Sequence, residues 1–327
     1  MTAQKILITR SFYSDILQSL SDAYETLTWP SSEPPPFDWI KDNLADADAL
    51  ICMLNDRIDD QLIEYGASHR LKVISQMAVG VDNIAVSAAT KHKIPVGHTP
   101  GVLTETTADF TWALLMASAR RVVEGHTEVH NHLWRPWGPE VLCGADVTGA
   151  TLGLIGFGRI GKAVAKRAAG FNMQIKYFEP RRKPENDLIT YAAYTPLEEL
   201  LSTSDFISLH AYLSPATRGM IGKAQLEMMK SSAILINTAR GAMIDHQALY
   251  EALSNHRLAA AALDVFDPEP MPQDHPLLGL PNVIITPHIA SAITATRRRM
   301  ARMTVENIRA GLEGKTLPYC CNPDVYD

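Results

Sequence analysis

The stretch "TLGLIGFGRIGKAVAKRA", Thr151 to Ala168, decides the fold. A short apolar run leads into Gly156, Gly158 and Gly161 in the G-x-G-x-x-G arrangement, and a helical run of Ala and Val follows. Glycine triplets are common in turns, but a strand before and a helix after are the context in which such a turn holds a dinucleotide. Gly156 permits the tight turn, Gly158 lets backbone meet a pyrophosphate, and Gly161 lets helix and strand approach. The helix start offers free N–H groups to the anion, and Arg159 adds a positive charge beside them. Glu179 stands about 20 residues further on, at the end of the next strand, where an acid is expected for the ribose.

Outward from this loop, short apolar runs alternate with helical patterns: "KILITR", "ALICML" and "LKVISQM" before it, then "MQIKYFE", "FISLHAY", "AILINTAR", "AAALDVF" and "VIITPH". Continuous apolar strands separated by helices imply parallel sheets covered on both faces. A dinucleotide unit that begins near residue 100 must follow another domain. The fold class expected is α/β: two Rossmann-like, doubly wound parallel-sheet domains with the active site in the cleft between them. "ETTADFTWALLMASARRVVE", Glu105 to Glu124, reads as one long helix bridging the units. "TATRRRMARMTVENIRAGLEG" reads as a helix stopping at Gly314 that returns to pack on the first unit. The boundaries expected are therefore 1–99 plus 293–327 for a substrate-binding domain and 100–292 for the dinucleotide-binding domain. "WPSSEPPPFDW" reads as a surface loop.

Composition narrows the function. The chain has 327 residues, is 46% hydrophobic and carries a net charge of -6. Acids and bases are mixed, leaving no basic stripe for nucleic acid and no polybasic segment for a membrane surface. No window approaches the roughly 20 apolar residues of a spanning helix, and the N-terminal apolar run is too short for a signal peptide. A cytoplasmic enzyme of small-molecule chemistry is the expectation. Cys52, Cys143, Cys320 and Cys321 lack metal-type spacing and read as reduced thiols, and no metal site is expected.

Three residues at strand ends carry the chemistry. Arg240 follows "SSAILINTAR", Glu269 lies in "LDVFDPEP", and His288 lies in "VIITPHIAS". A cation suited to a carboxylate, an acid and an imidazole form the set that reduction of a 2-oxo acid requires. Negative charge develops on the carbonyl oxygen as hydride reaches C2, so a proton donor must stand beside it, and His288 is the candidate. Glu269 would favour the imidazolium and fix which ring nitrogen faces substrate. Arg240 would grip the substrate carboxylate through paired hydrogen bonds.

The order GFGRIG, NTARG, LDVFDPEP and TPHIAS resembles the D-isomer-specific 2-hydroxyacid dehydrogenases over nearly the whole chain. "MAVGVDNI", "HTPGVLTETTADFTWALLMASARR" and the closing "NPDV" are most similar to the glyoxylate/hydroxypyruvate reductases of that family. The resemblance implies Arg240, Glu269 and His288 as the catalytic trio, with the backbone N–H groups of Val79 and Gly80 sharing the substrate carboxylate. It implies that Leu54 shapes the pocket and that Ser291 and Arg297 complete its far wall. Trp137 resembles a tryptophan lent to a neighbouring subunit's site, or packs simply at a subunit contact, and a homodimer is implied. Around the cofactor it implies Thr107, Ile160, His210, Thr238 and Ala239, with Asp264 holding the nicotinamide carboxamide. Valine at position 79, where a phosphite-oxidising branch carries lysine, argues against phosphite.

"YFEPRRK", Tyr177 to Lys183, bears on the cofactor. Glu179 can accept from ribose hydroxyls and repel a 2'-phosphate, whereas Arg181 and Arg182 could attract one or lie in a solvated loop. NAD(H) is expected to be favoured, with NADP(H) as a weaker alternative. The reaction expected is reduction of glyoxylate and hydroxypyruvate to glycolate and D-glycerate. A larger 2-oxo acid such as 2-ketogluconate is the nearest alternative, and a nucleotide-sensing, corepressor-like binding protein the more distant one.

Overall fold

The computed structural model describes residues 3–183, 185, 186 and 190–327. The chain divides into two compact units, Met1–Leu103 with Ile293–Asp327, and Thr104–Ala292.

The first unit is a parallel sheet of β1 (Lys5–Ile8), β2 (Glu25–Thr28), β3 (Ala49–Cys52), β4 (Val73–Gln76) and β5 (Val96–Gly97), in the order β2-β1-β3-β4-β5. β3 and β4 are buried along their whole length, as strands covered on both faces must be. Successive side chains enter opposite cores. Leu7, Leu50 and Ile74 pack on one face, and Ile6, Ile8, Ile51 and Val73 on the other. The second face is closed by the helix Thr294–Leu312, whose Ala301, Val305 and Ile308 join that core. It lies so close to the sheet that a Cβ on Gly311 would sit 2.5 Å from Val73 Cγ2. Its buried Asn307 donates to Ser75 Oγ at 3.3 Å and to the His98 carbonyl at 3.2 Å, and accepts from Tyr319 N–H at 3.1 Å. The sheet edge at β5 is covered by the last segment of the chain, where Cys321 N–H donates to Val96 and His98 N–H to Tyr319.

The second unit holds β6 (Thr151–Ile155), β7 (Gln174–Phe178), β8 (Ala193–Tyr194), β9 (Phe206–Leu209), β10 (Ile234–Asn237), β11 (Ala260–Leu263) and β12 (Val283–Ile285). All are parallel, in the order β12-β11-β10-β9-β6-β7-β8. β10 again divides two cores, Ile234 and Ile236 on one side and Leu235 on the other. Strand order reverses between β6 and β9, which opens a crevice at their carboxyl ends where open α/β sheets take ligands. Among the described residues no helix is long and apolar enough to cross a membrane.

Three sequence expectations need correction. The bridge over Glu105 to Glu124 is two helices, Thr104–Ala119 and Val122–His130. The break is built: Arg121 takes a left-handed φ of 51°, its guanidinium binds Glu124, and the Ala119 carbonyl accepts from Ala145 N–H at 2.8 Å instead of continuing the helix. The loop around residues 29–39 ends early, because Phe37 already starts the helix Phe37–Leu44, and Trp39 packs on Trp29 with ring centroids 4.9 Å apart. β2, β5 and β8, each short or half-exposed, were not distinguishable from loop by hydrophobic pattern.

Candidate active site

The turn after β6 has the geometry of a phosphate cradle. Gly156 has φ +99°, and a Cβ there would lie 2.4 Å from Ala211 N and from the His210 carbonyl carbon, so the turns that follow β6 and β9 meet backbone to backbone. A Cβ on Gly161 would strike the Gly156 carbonyl at 2.2 Å. At Gly158 nothing lies within 4 Å of an added Cβ, so this backbone faces open space. The helix Arg159–Ala168 starts there with no side-chain cap, leaving its first N–H groups for an anion. Arg159 is exposed beside it, and half-buried Ile160 packs into the core. His210 hydrogen-bonds Ser208 Oγ through Nε2 at 2.8 Å, and burial pushes its pKa down to about 3. It is therefore a neutral wall of the crevice, without charge for a pyrophosphate. Thr107, Thr111 and Thr238 form a buried chain: Thr111 Oγ1 donates to the Thr107 carbonyl at 2.8 Å and lies 2.9 Å from Thr238 Oγ1. This ties the helix Thr104–Ala119 to the end of β10.

Arg240, Glu269 and His288 all stand at carboxyl ends of this sheet, after β10, β11 and β12. His288 Nδ1 and Glu269 Oε2 are 2.7 Å apart, and Glu269 Oε1 accepts from Phe266 N–H at 2.9 Å. Both carboxylate oxygens are thus engaged and Nε2 is the ring nitrogen left for a substrate. Gly241 seats the arginine turn directly on the backbone of Phe266, where an added Cβ would lie 2.0 Å from the carbonyl carbon. Asn237 fixes that turn, accepting from Ala239 N–H at 2.9 Å and donating to the Arg240 carbonyl at 2.8 Å. Sequence reasoning passed over Asn237, although asparagine at a strand end before such a turn is itself a signal.

Burial pushes the Glu269 carboxyl up, but the His288 hydrogen bond and charge, the Phe266 N–H and the Arg240 guanidinium outweigh it and hold the group below the usual carboxylate range. A folded pKa below the unfolded one contributes stability above the unfolded value, about 4.3 for Glu, and loses it as pH falls through the folded value. The melting temperature is therefore expected to fall on acidification below about pH 4.3 more steeply in the parent than in Glu269→Gln. Parallel pH curves for the two proteins would exclude this pair from acid stability.

The D-isomer specific 2-hydroxyacid dehydrogenase NAD binding domain model matches residues 112–290. The chain belongs to the D-isomer-specific 2-hydroxyacid dehydrogenase family. It is 47% identical over 322 residues to a glyoxylate reductase of Korarchaeum cryptofilum, covering 98% of this chain and 96% of that one. A protein of known structure from Thermus thermophilus matches with TM-score 0.89 and 46% identity, covering 97% of this chain and 100% of that one. An NADPH-dependent glyoxylate/hydroxypyruvate reductase of Sinorhizobium meliloti, solved with NADP and malonate, matches with TM-score 0.86 at 27% identity, covering 99% and 98%.

In this dehydrogenase Asp264 has a task that sequence reading did not foresee. It is fully buried, and its carboxylate accepts from Thr286 Oγ1 at 2.6 Å, Ile289 N–H at 2.8 Å and Ala290 N–H at 2.8 Å. Asp264 thus anchors the loop on which His288 sits with a left-handed φ of 54°. Asp264→Ala is expected to strand those donors at about 1–3 kcal/mol each and to lower turnover together with stability. Thermal melts and kinetics on one preparation check both. Full stability with full activity would remove the anchor.

The remaining candidates are placed as follows. In the first unit, half-buried Leu54 follows β3 and half-buried Val79 and buried Gly80 follow β4. A reciprocal amide pair braces these loops, Gln76 Nε2 to Asn83 Oδ1 at 2.8 Å and Asn83 Nδ2 to Gln76 Oε1 at 2.9 Å. Asn83 also donates to the Met53 carbonyl at 3.1 Å. Arg297 lies in the first turns of the helix Thr294–Leu312, and Ser291 is half-buried in the second unit after the histidine loop. Trp137 is 89% exposed on the arm beyond Val122–His130. Glu179 is buried at the end of β7, Arg181 is exposed, and the Arg182 guanidinium sits 4.5 Å from the Tyr194 ring centroid.

Proposed function

We propose that the chain reduces glyoxylate and hydroxypyruvate to glycolate and D-glycerate, with NADH preferred over NADPH. The observation that carries this reading is the 2.7 Å contact of His288 Nδ1 with Glu269 in the unit that also bears the phosphate cradle. The bound nicotinamide supplies the hydride. Arg240 grips the substrate carboxylate, and the resemblance assigns its other donors to the N–H groups of Val79 and Gly80. Held by Glu269 at Nδ1, His288 presents Nε2 to the carbonyl oxygen and donates the proton as charge develops there. Glu269 stabilises the imidazolium before transfer and keeps the ring from rotating. The names carried by the relatives support glyoxylate as substrate, and buried Glu179 supports NADH. The test is NADH consumption with glyoxylate, hydroxypyruvate, 2-ketogluconate and an aldehyde lacking the carboxylate. Preference for 2-ketogluconate would replace the substrate named here, and absence of turnover with every 2-oxo acid would overturn the reading.

We further infer a homodimer, in a cytoplasmic setting. The helix Val122–His130 buries none of its residues, and Leu133, Trp134 and Trp137 are 60%, 79% and 89% exposed, an apolar surface of the kind that marks an interface. Sedimentation is expected to give a particle of twice the 36.0 kDa chain mass. A stable monomer would refute this, and would leave Trp137→Ala no route to a neighbour's site.

A further inference from the structure

We propose that Asn186 is a positioning residue for cofactor choice, holding the Glu179 carboxylate beside the phosphate loop and so setting the discrimination between NADH and NADPH. This rests on the reading of Glu179 as the ribose-binding acid. Asn186 is 1% exposed and lies on the connection from β7 to β8. Its Nδ2 donates to Glu179 Oε2 at 2.6 Å, with both side chains buried. The same nitrogen is 3.4 Å from the carbonyl oxygen of Phe157, the residue between Gly156 and Gly158. One carboxamide therefore links the acid to the backbone of the anion cradle.

A glutamate side chain has three rotatable bonds. A carboxylate at the end of β7 discriminates between a ribose hydroxyl and a 2'-phosphate only while it stays where that group arrives. A short hydrogen bond from a neutral donor to an ionised acceptor is among the stronger ways to hold it there. The donor adds no full positive charge, so it fixes the carboxylate without cancelling the repulsion that excludes phosphate. Asn186 Oδ1 is buried and has no hydrogen-bond partner among the described residues. Nδ2 makes both contacts named above, and what it holds accounts for an amide at this place.

The test is a double-mutant cycle on the full chain with Asn186→Ala, Glu179→Ser and the combination. It is read both as kcat/KM and as Kd for NADH and NADPH by calorimetry without substrate. Asn186→Ala is expected to move the NADH/NADPH Kd ratio toward NADPH by about 10-fold, the loss of one charge-assisted hydrogen bond, and to have little effect on that ratio once Glu179 is serine. Equal weakening of both cofactors would make Asn186 a structural residue only. An undiminished shift in the Glu179→Ser background would mean that it acts without Glu179. Either result overturns the proposal while leaving the ribose-binding acid intact. A ratio unmoved by Glu179→Ser would instead bring down the reading of Glu179 itself. Asn186→Ser, a smaller excision, carries the same expectations should the alanine variant not fold.

Discussion

His288→Ala is expected to lower kcat for glyoxylate by about 100 to 10,000-fold, the range for loss of a positioned general acid, while the Kd for NADH stays close to that of the parent. The separation follows from where the residue sits. The imidazole is just after β12, held by Glu269, whereas the phosphate cradle is built from the turn after β6 and the backbone of His210 and Ala211 just after β9. Removing the ring leaves the cradle's glycines and the uncapped helix start untouched. Glu269→Gln is expected to show a smaller loss, because an amide still reaches Nδ1 but no longer stabilises the protonated ring. Near-normal kcat in His288→Ala would take the residue out of the mechanism. A large loss of NADH affinity would show that the site cannot be divided in this way.

Arg240→Lys is expected to raise KM for glyoxylate and lower kcat, together costing about 10 to 100-fold or more in kcat/KM, equivalent to one or two charged hydrogen bonds. An ammonium is a point charge and cannot reproduce the two parallel N–H donors of a guanidinium against a carboxylate. The backbone that carries residue 240 is braced mainly from elsewhere, since Asn237 holds the turn and Gly241 seats it on Phe266, while the guanidinium adds a hydrogen bond to the Ala239 carbonyl at 2.8 Å. The substitution should therefore change recognition without reshaping the loop. Equal losses with glyoxylate and with an aldehyde lacking the carboxylate would argue that Arg240 does not grip that group. A change confined to cofactor affinity would move it out of the substrate site.

What is legible in the sequence follows physical periodicity. The central strands β3, β4, β6, β9 and β10 are buried on both faces and appear as largely apolar runs, whereas β7 alternates, with Ile175 and Tyr177 buried between Gln174 and Lys176. The edge pieces β2 and β8 are only partly covered, and β5 has two residues, too short for a period to register. The break at Arg121 was hidden because helix propensity continues through "ARRVVE", whereas the loop that caps Ala119 arrives from more than 20 residues later. In the candidate site, Arg240, Glu269 and His288 were legible as a set, a cation, an acid and an imidazole after three successive strands, although each alone is commonplace there. Asp264 acts by bonding residues more than 20 positions away and Asn186 by reaching Glu179 and the backbone of Phe157, and such partners have no fixed spacing in sequence, whereas Asn237 bonds Ala239 and Arg240 just beyond it and could have been read. The 2.7 Å contact between His288 and Glu269 spans 19 residues and exists only because adjacent parallel strands bring their ends together.

The helix Thr294–Leu312 and the segment after it finish a core begun nearly 300 residues earlier, and this imposes an order on folding during synthesis. When the ribosome has made residue 103, the first sheet has all five strands, but one face is covered only in part, by Ile16 and Leu20 of the helix Ser14–Ser21, and Ile6, Ile8, Ile51 and Val73 await the rest of their cover. The second unit is continuous in sequence, so it can close on itself while that face still waits. Only when Ala301, Val305 and Ile308 emerge can the first unit become stable. Part of its apolar face therefore lacks its cover for most of the time the chain is being translated.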